Sequence, residues 1–265
     1  MNDIKLSGET IVFPIIGDPI AQVRSPQYLT AIMHRRMING IVPPVHVSAN
    51  DLSTVIEGLS RTQNVQGIVV TIPHKVSMTQ FCTSLTERAQ FSGAINVMRR
   101  LPDGTFKGDH LDGIGYLDGM LNQGIDVSGK RVLQIGIGGA GSAVCYEMLA
   151  RNAGELGLYD VNKDRLQETI EKLSLKFPGR VFATSNDPTG FDVIANVTPV
   201  GMKPDDPFPV QIENLSGEMA VADAITKPSV TALIHHARDL GCSTMSGADM
   251  FDAEAEALVD FLIDP

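Results

Sequence analysis

Residues Val132 to Gly141 have the sequence VLQIGIGGAG, and Ser142 to Ala150 follow with a helical spacing of apolar side chains. An apolar strand that runs into Gly-x-Gly-x-x-Gly and then into a helix is typical of a dinucleotide-binding turn. Glycines let the backbone approach a pyrophosphate, and the helix N-terminus supplies unpaired N–H groups and a positive dipole. We therefore predict cofactor contacts from Gly136, Gly138, Gly139, Ala140 and Gly141; the alternative is a glycine-rich turn without a ligand.

The acid that ends the next predicted strand, Leu156–Asp160, indicates which dinucleotide is preferred. Asp160 lies about two dozen residues after the first glycine, where a Rossmann fold places the carboxylate that binds the ribose hydroxyls. We predict NAD as the preferred cofactor, because this carboxylate would repel the 2′-phosphate of NADP. Lys163 and Arg165 could offset part of this repulsion with their positive charges, so use of NADP remains an alternative. The alternative is that Asp160 only caps the following helix.

Short apolar runs alternate with helical stretches along the chain, which is typical of βαβ units on a mainly parallel sheet. At 265 residues the chain is long enough for two domains. The predicted fold class is therefore α/β and two-domain. Residues 1–111 form an N-terminal α/β domain, residues 112–245 a Rossmann-type, doubly wound nucleotide-binding domain, and residues 246–265 a final helical segment that packs back on the first domain.

Two features of the first domain are predicted in more detail. Strands are expected at Thr10–Ile16 and Gly67–Ile72. Asn96–Leu101 and Thr105–Gly108 flank an Asp-Gly turn, which predicts a β-hairpin.

Composition excludes several classes of function. The net charge of −10 repels phosphate backbones and anionic membrane surfaces, so we expect neither nucleic acid nor membrane as a partner. The three cysteines are far apart and odd in number, and His34 and His46 are isolated in the sequence, so no disulfide framework and no metal site is expected. The start of the chain lacks the pattern of a signal peptide, and we expect a cytoplasmic protein.

A lysine follows a strand in the first domain. Residues Gly67 to Lys75 have the sequence GIVVTIPHK, in which Pro73 has no N–H to continue the ladder. A lysine held at the mouth of a cleft would be partly desolvated, which lowers its pKa and suits it to proton transfer. The alternative for Lys75 is an ordinary solvated surface charge.

Several motifs in a fixed order resemble the shikimate dehydrogenase family over nearly the whole chain. They are Gly17–Ala21, Arg24–Pro26, Gly67–Lys75, Gly93–Asn96, Gly108–Gly113, the glycine turn, Asn196–Met202, Asp223 with Pro228 and Thr231, and Gly247 with Met250. The resemblance implies a substrate-binding first domain, a cleft between the two domains, and oxidation of a cyclic hydroxy acid by a nicotinamide cofactor. It makes Lys75 and Asp112 the catalytic pair, with a purely structural ion pair as the alternative.

The resemblance also assigns the ligand contacts. It implies Ser25 and Thr71 at the substrate carboxylate, Asn96 at the ring hydroxyls, and Asn162, Thr198, Ala224, Gly247 and Met250 as further cofactor contacts. This sequence departs from the family at Val23, Val69 and Val97, which replace polar residues, at Thr226, which replaces a tyrosine, and at Glu254, which replaces a glutamine. We still count Val23, Thr226 and Glu254 as substrate-binding positions.

These departures leave the substrate open between shikimate, quinate and an amino analogue that Glu254 would favour, with Glu254 pointing to solvent as the alternative. Arg24 either replaces the lost serine at a carboxylate or is an exposed arginine. A ligand-binding sensor without catalysis, or a dehydrogenase of folate-like substrates, would use the same two-domain plan. Both a monomer and a homodimer are compatible with the sequence.

Overall fold

The structure is a computed structural model that describes residues 6–264. The chain divides into two compact units. The first contains residues 1–111 and 255–265, and the second contains residues 112–254.

The first unit is built on a mixed sheet of six strands. The described strands of this unit, in chain order, are β1 (Ile11–Val12), β2 (Ile15–Gly17), β3 (Gly40–Ile41), β4 (Pro44–His46), β5 (Gly67–Val70), β6 (Ser84–Leu85), β7 (Val97–Arg100) and β8 (Phe106–Asp109). The sheet order is β4-β2-β5-β7-β8-β6, while β1 and β3 pair separately. β2 is parallel to β4 and β5, whereas β5, β7 and β8 are antiparallel neighbours. The predicted hairpin is confirmed as β7 and β8.

One strand prediction in this unit is wrong. The expected strand Thr10–Ile16 is two short strands, β1 and β2, separated by Phe13 and Pro14. Proline cannot donate to a ladder, so the chain leaves one sheet at Pro14 and enters another.

Three helices cover the sheet, and the interior is aliphatic. They are α1 (Ser25–Arg35), α2 (Leu52–Arg61) and α3 (Glu87–Ser92), with a 3₁₀ turn at Ser77–Phe81. One core cluster of this unit includes Ile16, Ile68, Val70, Met78 and Met98; Phe106 is buried in it and Phe81 packs against it. Burial of such side chains stabilises by roughly 1.5–3 kcal/mol each.

The second unit is a doubly wound parallel sheet. Its elements are α4 (Asp112–Asn122), β9 (Arg131–Ile135), α5 (Gly139–Ala150), β10 (Glu155–Tyr159), α6 (Lys163–Lys176), β11 (Val181–Ala183), β12 (Val193–Asn196), β13 (Ala220–Asp223), α7 (Ala232–Asp239), β14 (Ser243–Met245) and the start of α8 (Gly247–Ile263). The order β11-β10-β9-β12-β13-β14 reverses direction between β9 and β12. Ligands of such sheets bind at the carboxyl ends of the strands beside this reversal.

Glycines let helix α4 approach two other helices of the second unit closely. A Cβ atom added to Gly113 would lie 2.4 Å from the carbonyl oxygen of Ala143 in α5, and one added to Gly115 would lie 2.4 Å from the Cβ of Glu254 in α8. Gly119 meets the backbone of Met250 at 3.0 Å in the same way. These contacts fix α8 against α4.

The cysteines are unpaired thiols that the fold shields from solvent. Cys145 and Cys242 are buried and Cys82 is half-buried. Burial raises the pKa of Cys82 and of Cys145 to about 12. Among the described helices, none combines the length and apolar character needed to cross a bilayer.

Candidate active site

The turn between β9 and α5 is built so that only glycine fits at two positions. Gly136 has a φ of +94°, and a Cβ there would lie 2.5 Å from the side chain of Thr198. A Cβ on Gly141 would lie 2.4 Å from the carbonyl oxygen of Gly136. The buried Gln134 amide donates to the carbonyls of Gly136 at 3.0 Å and Gly141 at 2.8 Å. This rigid turn and the N-terminus of α5 fit the pyrophosphate of a dinucleotide.

Asp160 follows β10 and is only 4% exposed. Its carboxylate accepts hydrogen bonds from the Ile137 amide at 2.7 Å, the Asn162 amide at 2.8 Å and the Arg165 guanidinium at 2.7 Å. Burial opposes ionisation, but these hydrogen bonds outweigh it and lower the pKa of Asp160. The cap of α6 is the Asn162 side chain, which accepts from the Arg165 amide, so the helix-cap alternative for Asp160 is wrong.

A cavity of about 350 Å³ extends from the glycine turn to Asp160. Its walls include Gly136, Gly138, Asp160, Val161, Arg165, Thr198 and Phe208. Backbone donors, one acid and one arginine thus meet apolar surface in one cavity, as expected for a nucleoside site. Four of the predicted cofactor residues line it, namely Gly136, Gly138, Asp160 and Thr198.

The carboxylate of Asp223 holds the loop that follows β13. It accepts hydrogen bonds from the Asn196 side chain at 3.1 Å, the Ile225 amide at 3.1 Å and the Thr231 hydroxyl at 2.7 Å. Burial raises the pKa of Asp223 even though these bonds act against it. The loop that carries the predicted contacts Ala224 and Thr226 is therefore fixed at both ends; Ala224 is half-buried and Thr226 is exposed.

The start of α8 packs on this same loop. A Cβ on Gly247 would lie 2.2 Å from the carbonyl oxygen of Ile225, so the helix must begin with glycine at this point. Met250, one turn later, is 7% exposed and lies against Gly119. Glu254 is half-buried on the next turn, with its Cβ against Gly115.

In the first unit, the predicted residues cluster around the end of β5. Thr71 and Lys75 follow this strand and are both half-buried. The carbonyl oxygen of Lys75 accepts from the Ile95 amide at 2.8 Å, and Asn96 follows immediately. Asn96 is 2% exposed, and its Oδ1 accepts from the Leu111 amide at 2.8 Å. The amide oxygen of Asn96 therefore holds the backbone at Leu111, the residue before Asp112.

The remaining predicted residues lie at helix starts. Ser25 is the first residue of α1, and Val23 precedes it; both are half-buried. Asp112 is the first residue of α4 in the second unit and is 3% exposed. A carboxylate at a helix N-terminus is stabilised by the positive end of the helix dipole.

Sequence reasoning missed a buried ion pair beside this cluster. Asp109 is 1% exposed and accepts from the Arg88 guanidinium at 2.8 and 3.0 Å, and from the His110 amide at 2.7 Å. His110 is fully buried, with Nδ1 2.8 Å from the Ser92 hydroxyl. The only sequence signal was an acid and a histidine directly after a strand. Over residues 6–264, no group of three or more side chains is arranged to hold a metal ion.

The comparisons with known proteins agree on one family. A family model described as the shikimate dehydrogenase substrate binding domain matches residues 15–98. A shikimate dehydrogenase (NADP(+)) from Rubrobacter xylanophilus is 32% identical over 249 residues, which cover 92% of this chain and 87% of that protein.

Solved structures share the fold over nearly the full length. Shikimate 5-dehydrogenase from Listeria monocytogenes in complex with shikimate and NAD superposes with a TM-score of 0.91 at 23% identity, covering 98% of this chain and 94% of that one. The 5-ketofructose reductase of Gluconobacter sp. strain CHM43 superposes with a TM-score of 0.89 at 25% identity, covering 97% and 94%. The identity to the curated relatives extends over nine-tenths of the sequence, and the chain belongs to the shikimate dehydrogenase family of oxidoreductases.

Proposed function

We propose that this protein interconverts shikimate, or a close relative such as quinate or aminoshikimate, and the 3-dehydro ketone of that substrate. The proposal is carried by the 32% identity to a shikimate dehydrogenase over nearly the full length of the chain. It is supported by the motif resemblance, which assigns Lys75 and Asp112 to the catalytic pair. The dinucleotide turn supports the same reaction, because two of its glycines, Gly136 and Gly141, lie where an added Cβ would clash with neighbouring atoms.

The chemistry divides between the cofactor and two side chains. When bound, the nicotinamide ring exchanges a hydride with the carbinol carbon of the substrate. Lys75 takes the hydroxyl proton on its Nζ in oxidation and returns it in reduction, which requires a lysine able to exchange ammonium for amine. Asp112 would hold the hydroxyl and the lysine in place and tune the proton affinity of the lysine.

The protein's own residues would hold the dinucleotide in the second unit. Gly136, Gly138, Gly139, Ala140 and Gly141 would face the pyrophosphate, and Asp160 would accept from the adenosine ribose. We propose NAD as the preferred cofactor because Asp160 is ionised and lines the cavity. The preference is moderate rather than absolute, since Arg165 neutralises part of that charge. The relative from Rubrobacter xylanophilus is named as an NADP(+) enzyme. The preference of this protein between NAD and NADP must therefore be measured.

The identity of the substrate is the most specific part of the proposal. Ser25, Thr71 and Asn96 would bind the acid and the ring hydroxyls, while Val23 and Thr226 remove polar contacts that the family usually makes. Each lost contact costs roughly 1–3 kcal/mol if its partner stays unpaired. Glu254 would add a negative charge that favours an ammonium group on the ring. We therefore expect weak turnover of shikimate compared with an amino analogue.

One assay tests the proposal. Purified protein is mixed with NAD or NADP and, in turn, shikimate, quinate and aminoshikimate, and absorbance of the reduced nicotinamide is followed. Fructose is tested with the same cofactors as a further candidate substrate, because the fold is similar to that of a 5-ketofructose reductase. Turnover of one ring acid supports the proposal. Tight cofactor binding without turnover of any of them would instead support a sensor on the same fold.

A further inference from the structure

The second unit has another cavity, of about 750 Å³, between the loop of residues 199–209 and the start of α7. Its walls include Met202, Pro204, Phe208, Pro228 and Leu233. Neither the glycine turn nor Asp160 lines it, which distinguishes it from the nucleotide cavity. Met202 is 50% exposed and Phe208 40% exposed, so large apolar side chains remain open to solvent here.

The loop that forms this wall is held in one conformation. Gly201 has a φ of +108°, which favours glycine. The Asp206 carboxylate accepts from the Gly201 and Lys203 amides, each at 3.0 Å, and these bonds lower the pKa of Asp206. The Phe208 ring lies 6.2 Å from the ring of His236 in α7. A wall fixed in this way needs little ordering when a ligand binds, which favours affinity.

Two cations lie at the same cavity. Lys203 and Lys227 both line it and are both exposed. Within residues 6–264, no acidic side chain forms an ion pair with either of them. The one carboxylate in the wall, Asp206, accepts from two backbone amides and also interacts electrostatically with Lys203. Two lysines and one carboxylate give this wall a net charge of +1 on a chain of net charge −10, so it can attract a small anion that the rest of the surface repels.

We propose that this cavity is a second ligand site, which takes a small carboxylic acid that carries an apolar ring. Proline, phenylalanine and leucine side chains cover the ring, and Lys203 and Lys227 bind the carboxylate. Ligand pockets of this size are mostly apolar with a few placed polar groups, which is the arrangement seen here.

The site shares a wall with the nucleotide cavity without being part of it. Pro199, Val200, Pro207, Phe208 and Pro209 line both cavities. We expect the carboxylate ligand and the dinucleotide to bind at the same time, because the glycine turn and Asp160 line only the nucleotide cavity.

A tryptophan reporter makes the site measurable, because the chain contains no Trp. Phe208→Trp keeps an aromatic ring in the wall and gives a single fluorophore excited at about 300 nm. The probe is 4-tert-butylbenzoate, and its neutral control is 4-tert-butylbenzamide, which has nearly the same shape. We expect a saturable change in emission, with a Kd for the benzoate at least tenfold lower than for the benzamide.

Matched variants identify the anchoring charges. In the reporter background, Lys203→Gln with Lys227→Gln should raise the Kd for the benzoate at least tenfold and leave that for the benzamide unchanged. Lys172→Gln is the control, because it removes a positive charge from an exposed position on α6, away from the cavity. It should leave the Kd values for the benzoate and the benzamide unchanged. Should Phe208→Trp fail to fold, calorimetry on the unaltered protein with the same two ligands and lysine variants gives the same comparison.

Competition shows which cavity is occupied. Saturating NAD and, separately, saturating shikimate should leave binding of the benzoate in place. Displacement by either one would assign the benzoate to the dinucleotide or substrate site and overturn the proposal. Equal Kd values for benzoate and benzamide, or no loss in the lysine variants, would overturn it as well.

Discussion

The carboxylate of Asp160 and the guanidinium of Arg165 form an ion pair, in which the Asp160 side chain is buried and the Arg165 side chain is 44% exposed. Asp160→Ser removes the repulsion of a 2′-phosphate and releases Arg165 to bind one. We expect the ratio of kcat/KM for NADP to that for NAD to rise at least tenfold. Steady-state assays with both cofactors measure it.

Arg165→Gln is the complementary change. It leaves the Asp160 charge unbalanced, so discrimination against NADP should become stronger, while the Asn162 cap of α6 is retained. An unchanged ratio in both variants would show that this pair does not contact the cofactor's ribose.

A second prediction at this scale concerns the catalytic pair. Lys75→Ala and Asp112→Ala should each lower kcat by a factor on the order of 10²–10⁴, because each removes a positioned group in proton transfer. The rates are measured at saturating substrate, with circular dichroism to show that the variants fold. A folded variant with normal turnover would mean that the residue has been misassigned.

The third prediction concerns Glu254, which lies where the family has glutamine. Glu254→Gln removes one charge and nearly preserves shape, so efficiency on shikimate should rise relative to aminoshikimate. The ratio of the two kcat/KM values is the measurement. If that ratio does not move, the carboxylate plays no part in substrate choice.

The sequence marks candidate site residues most clearly where the backbone constrains them. Gly136 and Gly141 lie where an added Cβ would clash, and Asp160 follows a strand at a fixed distance from them; their roles stay predictions. The pairing of Asp109 with Arg88 was not predictable, because it joins a strand end to a separate helix, and no periodicity links the two.

At the scale of elements, the contact of α4 with α8 gives a prediction of stability. Gly115→Ala places a methyl group against the Cβ and backbone of Glu254. Either α4 or α8 must move to relieve this contact. We expect a loss of roughly 1–3 kcal/mol in the free energy of unfolding, as for other overpacked sites. Chemical denaturation measures it.

Gly58→Ala is the matched control. Gly58 lies inside α2, and a Cβ there meets nothing within 4 Å. The same substitution should therefore stabilise by roughly 0.5–1 kcal/mol, because glycine costs conformational entropy in a helix. Equal effects of the two substitutions would contradict the close approach of α4 and α8.

Element prediction worked for long periodic segments and failed for short ones. The strand and helix around the glycine turn and the β7–β8 hairpin are confirmed, since each has a run of apolar residues and a turn signal. β3, β6, β11 and β14 have only two or three residues each, too few to show a period. Their pairing depends on neighbours far along the chain.

For the whole molecule, the α/β fold class and the family are confirmed. The sheet order of the second unit was predictable because the dinucleotide turn implies it. The strand order of the mixed sheet in the first unit was not predictable. The antiparallel pairing of β5 with β7 depends on which edge of the parallel strands the β7–β8 hairpin joins.

The cysteines give a prediction for the whole chain. With a pKa near 12, about one thiol in 10⁴ is ionised at pH 8, and only the thiolate attacks a disulfide reagent. A colorimetric thiol reagent should therefore react slowly with Cys82 and Cys145 in the native protein. In denaturant it should count all three thiols at once. Rapid reaction of these two residues in the native protein would contradict their burial.

These shielded thiols make the natural sequence a background for site-specific labelling without prior removal of cysteines. A single exposed cysteine, introduced for example at Ser229 beside the second cavity, would be the first to take a maleimide dye or spin label. Distances and dynamics of the 199–209 loop would then be open to fluorescence and electron paramagnetic resonance in an otherwise unaltered chain.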